Sequence, residues 1–258
     1  MKNDSAIPSP ELIEQAAAHL RRARHVCVLS GAGISAESGI PTFRDAQEGL
    51  WAQYSPLDLA TPEGFERDPE LVWRWYEWRR EMIRAARPNP GHVALARLAQ
   101  RLPRLTLVTQ NVDGLHQRAG SPHVLEYHGN ILRDRCTVEQ VVAERSEDSR
   151  RSALPRCASC GALLRPDVVW FGEMIPRVAL VEADEAAADC DAFLSIGTSS
   201  LVYPAAGLAE AALRRGVPVI EVNPNPTDLS PHADVVLQGP AGRVVPALRQ
   251  VLTEGVGR

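Results

Sequence analysis

Several groups of residues in this chain could do chemistry. Gly31-Ala32-Gly33-Ile34-Ser35-Ala36 follows a short apolar run and fits the pattern G-x-G-x-x-G/A, whose glycines let a backbone turn approach a pyrophosphate. A dinucleotide held as a hydride carrier would need an acidic residue at the end of a second strand about 20 positions later. That window is instead a loop, Pro41 to Leu50, with Phe43 and Arg44 placed to cover phosphates. Three further apolar runs end in amides, hydroxyls or glycine: Gln110-Asn111-Val112-Asp113, Gly197-Thr198-Ser199 and Asn223-Pro224-Asn225. Such side chains suit ribose hydroxyls and phosphates, and one strand end of this kind is ordinary where four are not. Tyr127-His128-Gly129-Asn130 offers an imidazole, whose ordinary pKa of about 6.5 suits proton transfer near neutrality. Cys157-Ala158-Ser159-Cys160 is spaced as a metal knuckle, and Cys136 stands three residues before Glu139.

The elements that must position these groups alternate. Apolar runs at 25–30, 105–109, 192–196, 217–222 and 233–237 read as buried strands. Helix-period segments at 10–24, 91–101, 179–189, 204–215 and 242–252 lie between or beside them. Alternation of this kind predicts an α/β fold, a Rossmann-like parallel sheet with helices on both faces. Residues 46–86, helical and aromatic, and 127–165, with three cysteines, interrupt it. They are expected to form a smaller lobe inserted into a lobe made of 1–45, 87–126 and 166–258.

The segment Trp73-Arg74-Trp75-Tyr76-Glu77-Trp78-Arg79-Arg80 falls in the first interruption. As a helix it places Leu71, Trp75, Trp78 and Met82 on one stripe, expected to pack the small lobe. The next row holds Val72, Tyr76, Arg79 and Ile83, and a phenol three residues before a guanidinium can bind a carboxylate.

Of the 258 residues, 45% are hydrophobic and 23% charged, and the net charge of −4 argues against a nucleic-acid or anionic-membrane binder. No run of roughly 18 apolar residues offers a membrane span, and the first residues lack a secretory h-region. Five cysteines, an odd number, fit a reducing compartment, so a cytoplasmic location is expected. Cys27 and Cys190 read as small buried apolar residues.

Taken together, GAGISAESGIPTFRD (31–45), TQNVDGLHQRAG (109–120), YHGN (127–130), VVWFGE (168–173) and GTSSLVYPAA (197–206) resemble the sirtuins, the NAD-dependent protein lysine deacylases. The resemblance runs in order from about residue 24 to the C-terminus. It implies that Gly31, Ala32, Gly33, Ile34, Ser35, Phe43, Arg44, Gln110, Asn111, Val112, Asp113, Gly197, Thr198, Ser199, Asn223, Pro224 and Asn225 line NAD, and that Ala241 approaches the adenine. It implies His128 as the catalytic base, after attack of the acyl oxygen on C1′ of the nicotinamide ribose. It implies that Val169, Trp170, Phe171, Gly172 and Glu173 pair with an acylated protein substrate bound as an extended peptide. No oligomeric state is implied.

Tyr76-x-x-Arg79 and Pro41-Thr42-Phe43 further resemble the sirtuin class that removes succinyl, malonyl and glutaryl groups. The family holds zinc on two Cys-x-x-Cys knuckles, and here the first reads Cys136-Thr137-Val138-Glu139. Three readings stay open at this point: Glu139 is a zinc ligand, another group completes a site on Cys136, Cys157 and Cys160, or the site has decayed. Two other functions use the same residues, transfer of ADP-ribose to a protein side chain and non-catalytic sensing of NAD or ADP-ribose.

Overall fold

The computed structural model describes residues 7–41, 53–149 and 152–254, so the expectations for Phe43 and Arg44 lie outside the described residues. Helix α1 (Pro10–Arg22) begins where Ser9 Oγ accepts the Leu12 N–H at 3.4 Å and proline occupies the first turn. It buries Ile13, Ala16, Ala17 and Leu20, one face at helical spacing. The strands β1 (Val26–Ser30), β2 (Leu105–Thr109), β3 (Val124–Glu126), β6 (Ala192–Ile196), β7 (Val219–Asn223) and β8 (Val235–Gln238) form one parallel sheet in the order β3-β2-β1-β6-β7-β8. One face is packed by α1, α5 (Pro90–Ala99) and α9 (Ala241–Glu254), the other by α7 (Arg177–Asp189) and α8 (Ala206–Arg214). The order reverses at β1, so the crevice where open sheets take ligands lies beyond Ser30, Thr109 and Ile196.

A second, antiparallel sheet pairs β4 (Gly129–Cys136) with β5 (Leu164–Val168). It shares a separate apolar cluster with α2 (Pro56–Leu59), α3 (Pro62–Arg67) and α4 (Pro69–Ala85). The remaining short helix, α6 (Leu115–Arg118), follows β2.

Two expectations change. After Gly31 the chain forms a 3-10 helix, Ala32–Ser38, ended by left-handed Gly39, so no α-helix N-terminus follows the glycine turn. In α4 the apolar stripe is shifted: Trp78 and Met82 are only half-buried, while Trp73 and Arg80 are almost wholly enclosed. Trp73 is drawn in by its Nε1–H bond to the Leu164 carbonyl at 3.0 Å. Arg80 pairs with Asp134 at 2.7 Å and donates to the carbonyls of Ile131 and Arg133, locking α4 to β4. Helical periodicity weighs only hydrophobicity, so it misses a guanidinium that a carboxylate neutralises and backbone carbonyls hydrogen-bond. Arg80→Met is expected to cost about 3 kcal/mol of stability, read by urea denaturation, because it strips a buried carboxylate of a partner.

Candidate active site

The crevice is a cavity of about 660 Å³ reaching from the parallel sheet to the small lobe. Its floor depends on contacts between turns. The amide of Gly31 donates to Ile196 O, and that of Gly33 to Gly197 O at 2.8 Å. A Cβ on Gly197 would stand 2.4 Å from the Ile34 nitrogen, at a φ of +61° that disfavours side chains. The glycines therefore serve first to seat one strand-end turn against another. Amides of Ala32, Thr198 and Ser199 have no partner among the described residues, which leaves donors for phosphate oxygens.

Polar side chains are cross-braced around this floor. Gln110 Nε2 donates to Thr198 Oγ1 at 3.0 Å, and Asn223 Nδ2 to the Thr198 carbonyl at 2.8 Å. Asn111 Nδ2 donates to Gly31 O at 3.0 Å and to Ser35 Oγ at 3.2 Å. Ser35 Oγ donates to Asp113 Oδ2 at 2.7 Å, while Asp113 Oδ1 accepts the Leu115 N–H at 2.9 Å. Behind them His92 accepts the Asn89 N–H on Nδ1, which leaves Nε2–H to donate to Ser35 Oγ, both at 3.4 Å. Burial pushes the pKa of His92 down to about 4 and that of His116 down to about 3, so both rings are neutral braces. Sequence reasoning passed over these two histidines, although Asn89-Pro90 reads as a helix cap that would have fixed where His92 sits.

His128 precedes β4 and is half-buried, and burial lowers its pKa below the ordinary 6.5. Its Nδ1 lies 3.1 Å from the Gln110 carbonyl, which can only accept. The proton of the neutral ring is thereby placed on Nδ1, and Nε2 keeps its lone pair. That is the form a general base requires.

Of the expected site residues that are described, Gly31, Ala32, Gly33, Ser35, Gln110, Asn111, Val112, Asp113, His128, Gly197, Thr198, Ser199, Asn223 and Asn225 line the cavity. Tyr76, Arg79 and Val169 to Glu173 line it too. Ile34, Pro224 and Ala241 are not in its lining: Ile34 and Ala241 are packed into the core and Pro224 faces outward. Ile40, Ala60, Ile175, Tyr203 and Thr227 also line the cavity; Ile40 and Tyr203 fall within the quoted motifs but had been given no role, and Ala60, Ile175 and Thr227 lie outside them.

Tyr76 and Arg79 sit on the inner face of α4. The Tyr76 oxygen accepts Trp170 Nε1–H at 2.8 Å, leaving the phenolic proton to be donated elsewhere, and burial pushes the Tyr76 pKa up to about 12. Arg79 is 9% exposed and stacks over Trp75 at 5.0 Å. Its pKa is lowered by burial, and among the described residues it has no hydrogen-bond or ion-pair partner. The carboxylate whose charge acts on Arg79 is Asp113, which accepts from Ser35 Oγ and the Leu115 amide rather than pairing with the guanidinium, and other carboxylates of the small lobe are committed to other arginines. Glu77 and Asp134 pair with Arg80 and Arg145, Asp167 with Arg133 and Arg135, and Glu173 with Arg165.

Away from the crevice, ligand atoms of Cys136, Glu139, Cys157 and Cys160 lie within 4.8 Å of one another. Cys136 and Cys160 Sγ are 3.5 Å apart, and Cys157 Sγ is 3.8 Å from Glu139 Oε2. A tetrahedral zinc with bonds of about 2.3 Å to sulfur and about 2.0 Å to oxygen would need edges of roughly 3.5–3.8 Å, which these two separations match. The Glu139 amide donates to Cys136 Sγ at 3.4 Å and lowers the thiol pKa, favouring the thiolate a metal needs. Zinc here would tie β4 to the loop before β5. About one zinc per chain is expected by elemental analysis, and Glu139→Cys should retain it against a higher chelator concentration, since structural zinc sites are built mainly on thiolate and imidazole.

A crevice of this volume at the switch point of a parallel sheet, lined by His128 with a free Nε2, has room for a dinucleotide and a base beside it. Residues 31–204 match the Sir2 family, and the chain belongs to that family, the sirtuins. It is an NAD-dependent protein deacylase. An NAD-dependent protein deacylase of Methylococcus capsulatus is 51% identical over 249 residues, covering 94% of this chain and 98% of that one. A Sir2 homologue solved as an NAD complex superposes with a TM-score of 0.88 at 43% identity, covering 95% of each chain. A Sir2 protein bound to a myristoylated histone peptide superposes with a TM-score of 0.78 at 37% identity, covering 96% of this chain and 99% of that one.

Proposed function

We propose that this deacylase removes acyl groups ending in a carboxylate, namely succinyl, malonyl and glutaryl, from protein lysines, with acetyl-lysine as a further substrate. The observation that carries the reading is Arg79, a nearly buried guanidinium without a partner among the described residues, lining the same cavity as His128. A buried cation without an anion is costly, and a cavity that keeps one is suited to a ligand that brings the anion. Beside it the Tyr76 hydroxyl has a proton to donate, so an acyl carboxylate would meet paired nitrogen donors and one oxygen donor.

In the proposed reaction NAD, when bound, supplies an electrophilic ribose carbon with nicotinamide as its leaving group. Asn111 and Asp113 orient the nicotinamide ribose, and Gly31, Ala32, Thr198, Ser199, Asn223 and Asn225 hold the phosphates and the second ribose. Nε2 of His128 takes the proton of a ribose hydroxyl so that the acyl group can pass to it. The substrate lies extended along Val169 to Glu173. There the carbonyls of Val169 and Gly172 and the Gly172 N–H have no partner among the described residues, whereas the amides of Val169, Trp170, Phe171 and Glu173 are already bonded. Pairing would therefore rest mainly on substrate N–H donors.

The test incubates NAD with matched succinyl- and acetyl-lysine peptides and follows products by mass. Loss of the succinyl mass, abolished in Arg79→Met while acetyl turnover persists, is the expected result. Gain of ADP-ribose mass on the peptide would favour transfer to a side chain, and equal effects of Arg79→Met on both peptides would remove the acidic-acyl reading.

A further inference from the structure

Glu221 lies in the middle of β7 and is 1% exposed. Its neighbours along the strand, Val219, Ile220 and Val222, are all buried apolar residues, so a carboxylate at this position must be satisfied by specific partners. Both partners come from the loop that follows the strand. Thr227 Oγ1 donates to one carboxylate oxygen and Ser230 Oγ to the other, and among the described residues no cation pairs with Glu221. Each hydroxyl also fixes the loop's own backbone: Ser230 Oγ accepts the Thr227 N–H at 2.8 Å, and Thr227 Oγ1 accepts the Leu229 N–H at 3.1 Å.

The same loop opens as a wall of the cavity, contributing Asn223, Asn225, Pro226 and Thr227 to its lining. Leu229 buries itself in the apolar cluster below, and apolar contact alone tolerates small slides. Two charge-assisted bonds on one carboxylate do not, because they set the orientation as well as the depth of the loop. We propose that Glu221 is a positioning residue, which through Thr227 and Ser230 holds the Asn223–Thr227 wall in the shape that receives the ribose and phosphates of NAD. The proposal concerns the dinucleotide end of the cavity and is independent of which acyl group is removed.

The test is ADP-ribose affinity, measured by titration calorimetry well below the melting temperature, in the full chain. Glu221→Gln preserves volume but removes one acceptor, and the dissociation constant is expected to rise about 10-fold. Turnover at saturating NAD and peptide should change little, giving a rise in KM for NAD with kcat retained. Ser230→Ala should weaken ADP-ribose in the same direction, and adding it to Glu221→Gln should cost little more, because the groups act as one unit. Asn225→Ala serves as the reference for losing the wall's own contact. If Glu221→Gln folds poorly, Ser230→Ala, which leaves the strand intact, carries the test. Unchanged ADP-ribose affinity in folded Glu221→Gln or in Ser230→Ala, with only the melting temperature lowered, would make Glu221 a purely structural residue and overturn the proposal. So would unchanged affinity in Asn225→Ala, since the wall would then not touch the ligand.

Discussion

Alanine at position 128 is expected to lower kcat/KM for deacylation by about 10³-fold while leaving ADP-ribose affinity within about twofold, the range general-base removal produces. The size follows from how few alternatives the site offers. His92 and His116 are neutral, buried and committed to hydrogen bonds with Ser35 and Ser30. Asp113 is held by Ser35 and the Leu115 amide. Among the described residues, only His128 combines a place in the cavity lining with a proton position set by a carbonyl, so that its second nitrogen is free to accept. The pH dependence carries a sign. Catalysis needs the neutral ring, and burial disfavours the charged one, so kcat/KM should stay flat through neutrality and fall as pH drops through a value below 6.5. A break above 6.5, or an acid limb that survives in His128→Ala, would assign the base elsewhere.

Much of this architecture was legible because its signals are local. Runs such as 105–109 and 192–196 are mostly apolar and are followed by an amide or a glycine, and the structure places them on either side of β1 in one parallel sheet. The glycine turn was legible as a turn, but its reason was not. The contact that forbids a side chain on Gly31 comes from Gly197 and Thr198, far along the chain, and no local pattern reports it. The same holds for Arg80 and Glu221. Each is a charge in a buried place, and each is explained only by partners that folding brings together, Asp134 with two carbonyls in one case and two loop hydroxyls in the other. Tyr76 and Arg79 could be picked out because they are polar groups on an otherwise apolar row. What the sequence could not supply was the commitment of Asp113 to Ser35 and the Leu115 amide, and of Glu77, Asp134 and Glu173 to other arginines, which leaves Arg79 without an ion pair among the described residues.

That isolation sets the expected size of the second effect. Arg79→Met should lower kcat/KM for a succinyl-lysine peptide by about 100-fold or more and alter acetyl turnover by less than about threefold. Methionine fills the space over Trp75 and removes a cation that otherwise stands unpaired, so the variant should fold at least as well as the parent. A carboxylate entering the variant's cavity would give up its hydration and find only the Tyr76 hydroxyl, and the shortfall of a lost buried charge pair is about 2–5 kcal/mol. Acetyl-lysine brings no charge and loses nothing comparable. Arg79→Lys separates charge from geometry: it keeps the cation but not the paired donors, and should recover only part of the succinyl rate. Tyr76→Phe should raise KM for the succinyl peptide by a smaller factor, about 5–10-fold, because one neutral donor is lost while the guanidinium remains. High salt should leave the succinyl preference nearly intact, since a pair enclosed in the cavity is screened far less than one on the surface. Equal losses on both peptides would mean that Arg79 merely supports α4, and the cavity would then have no preference for an acidic acyl end.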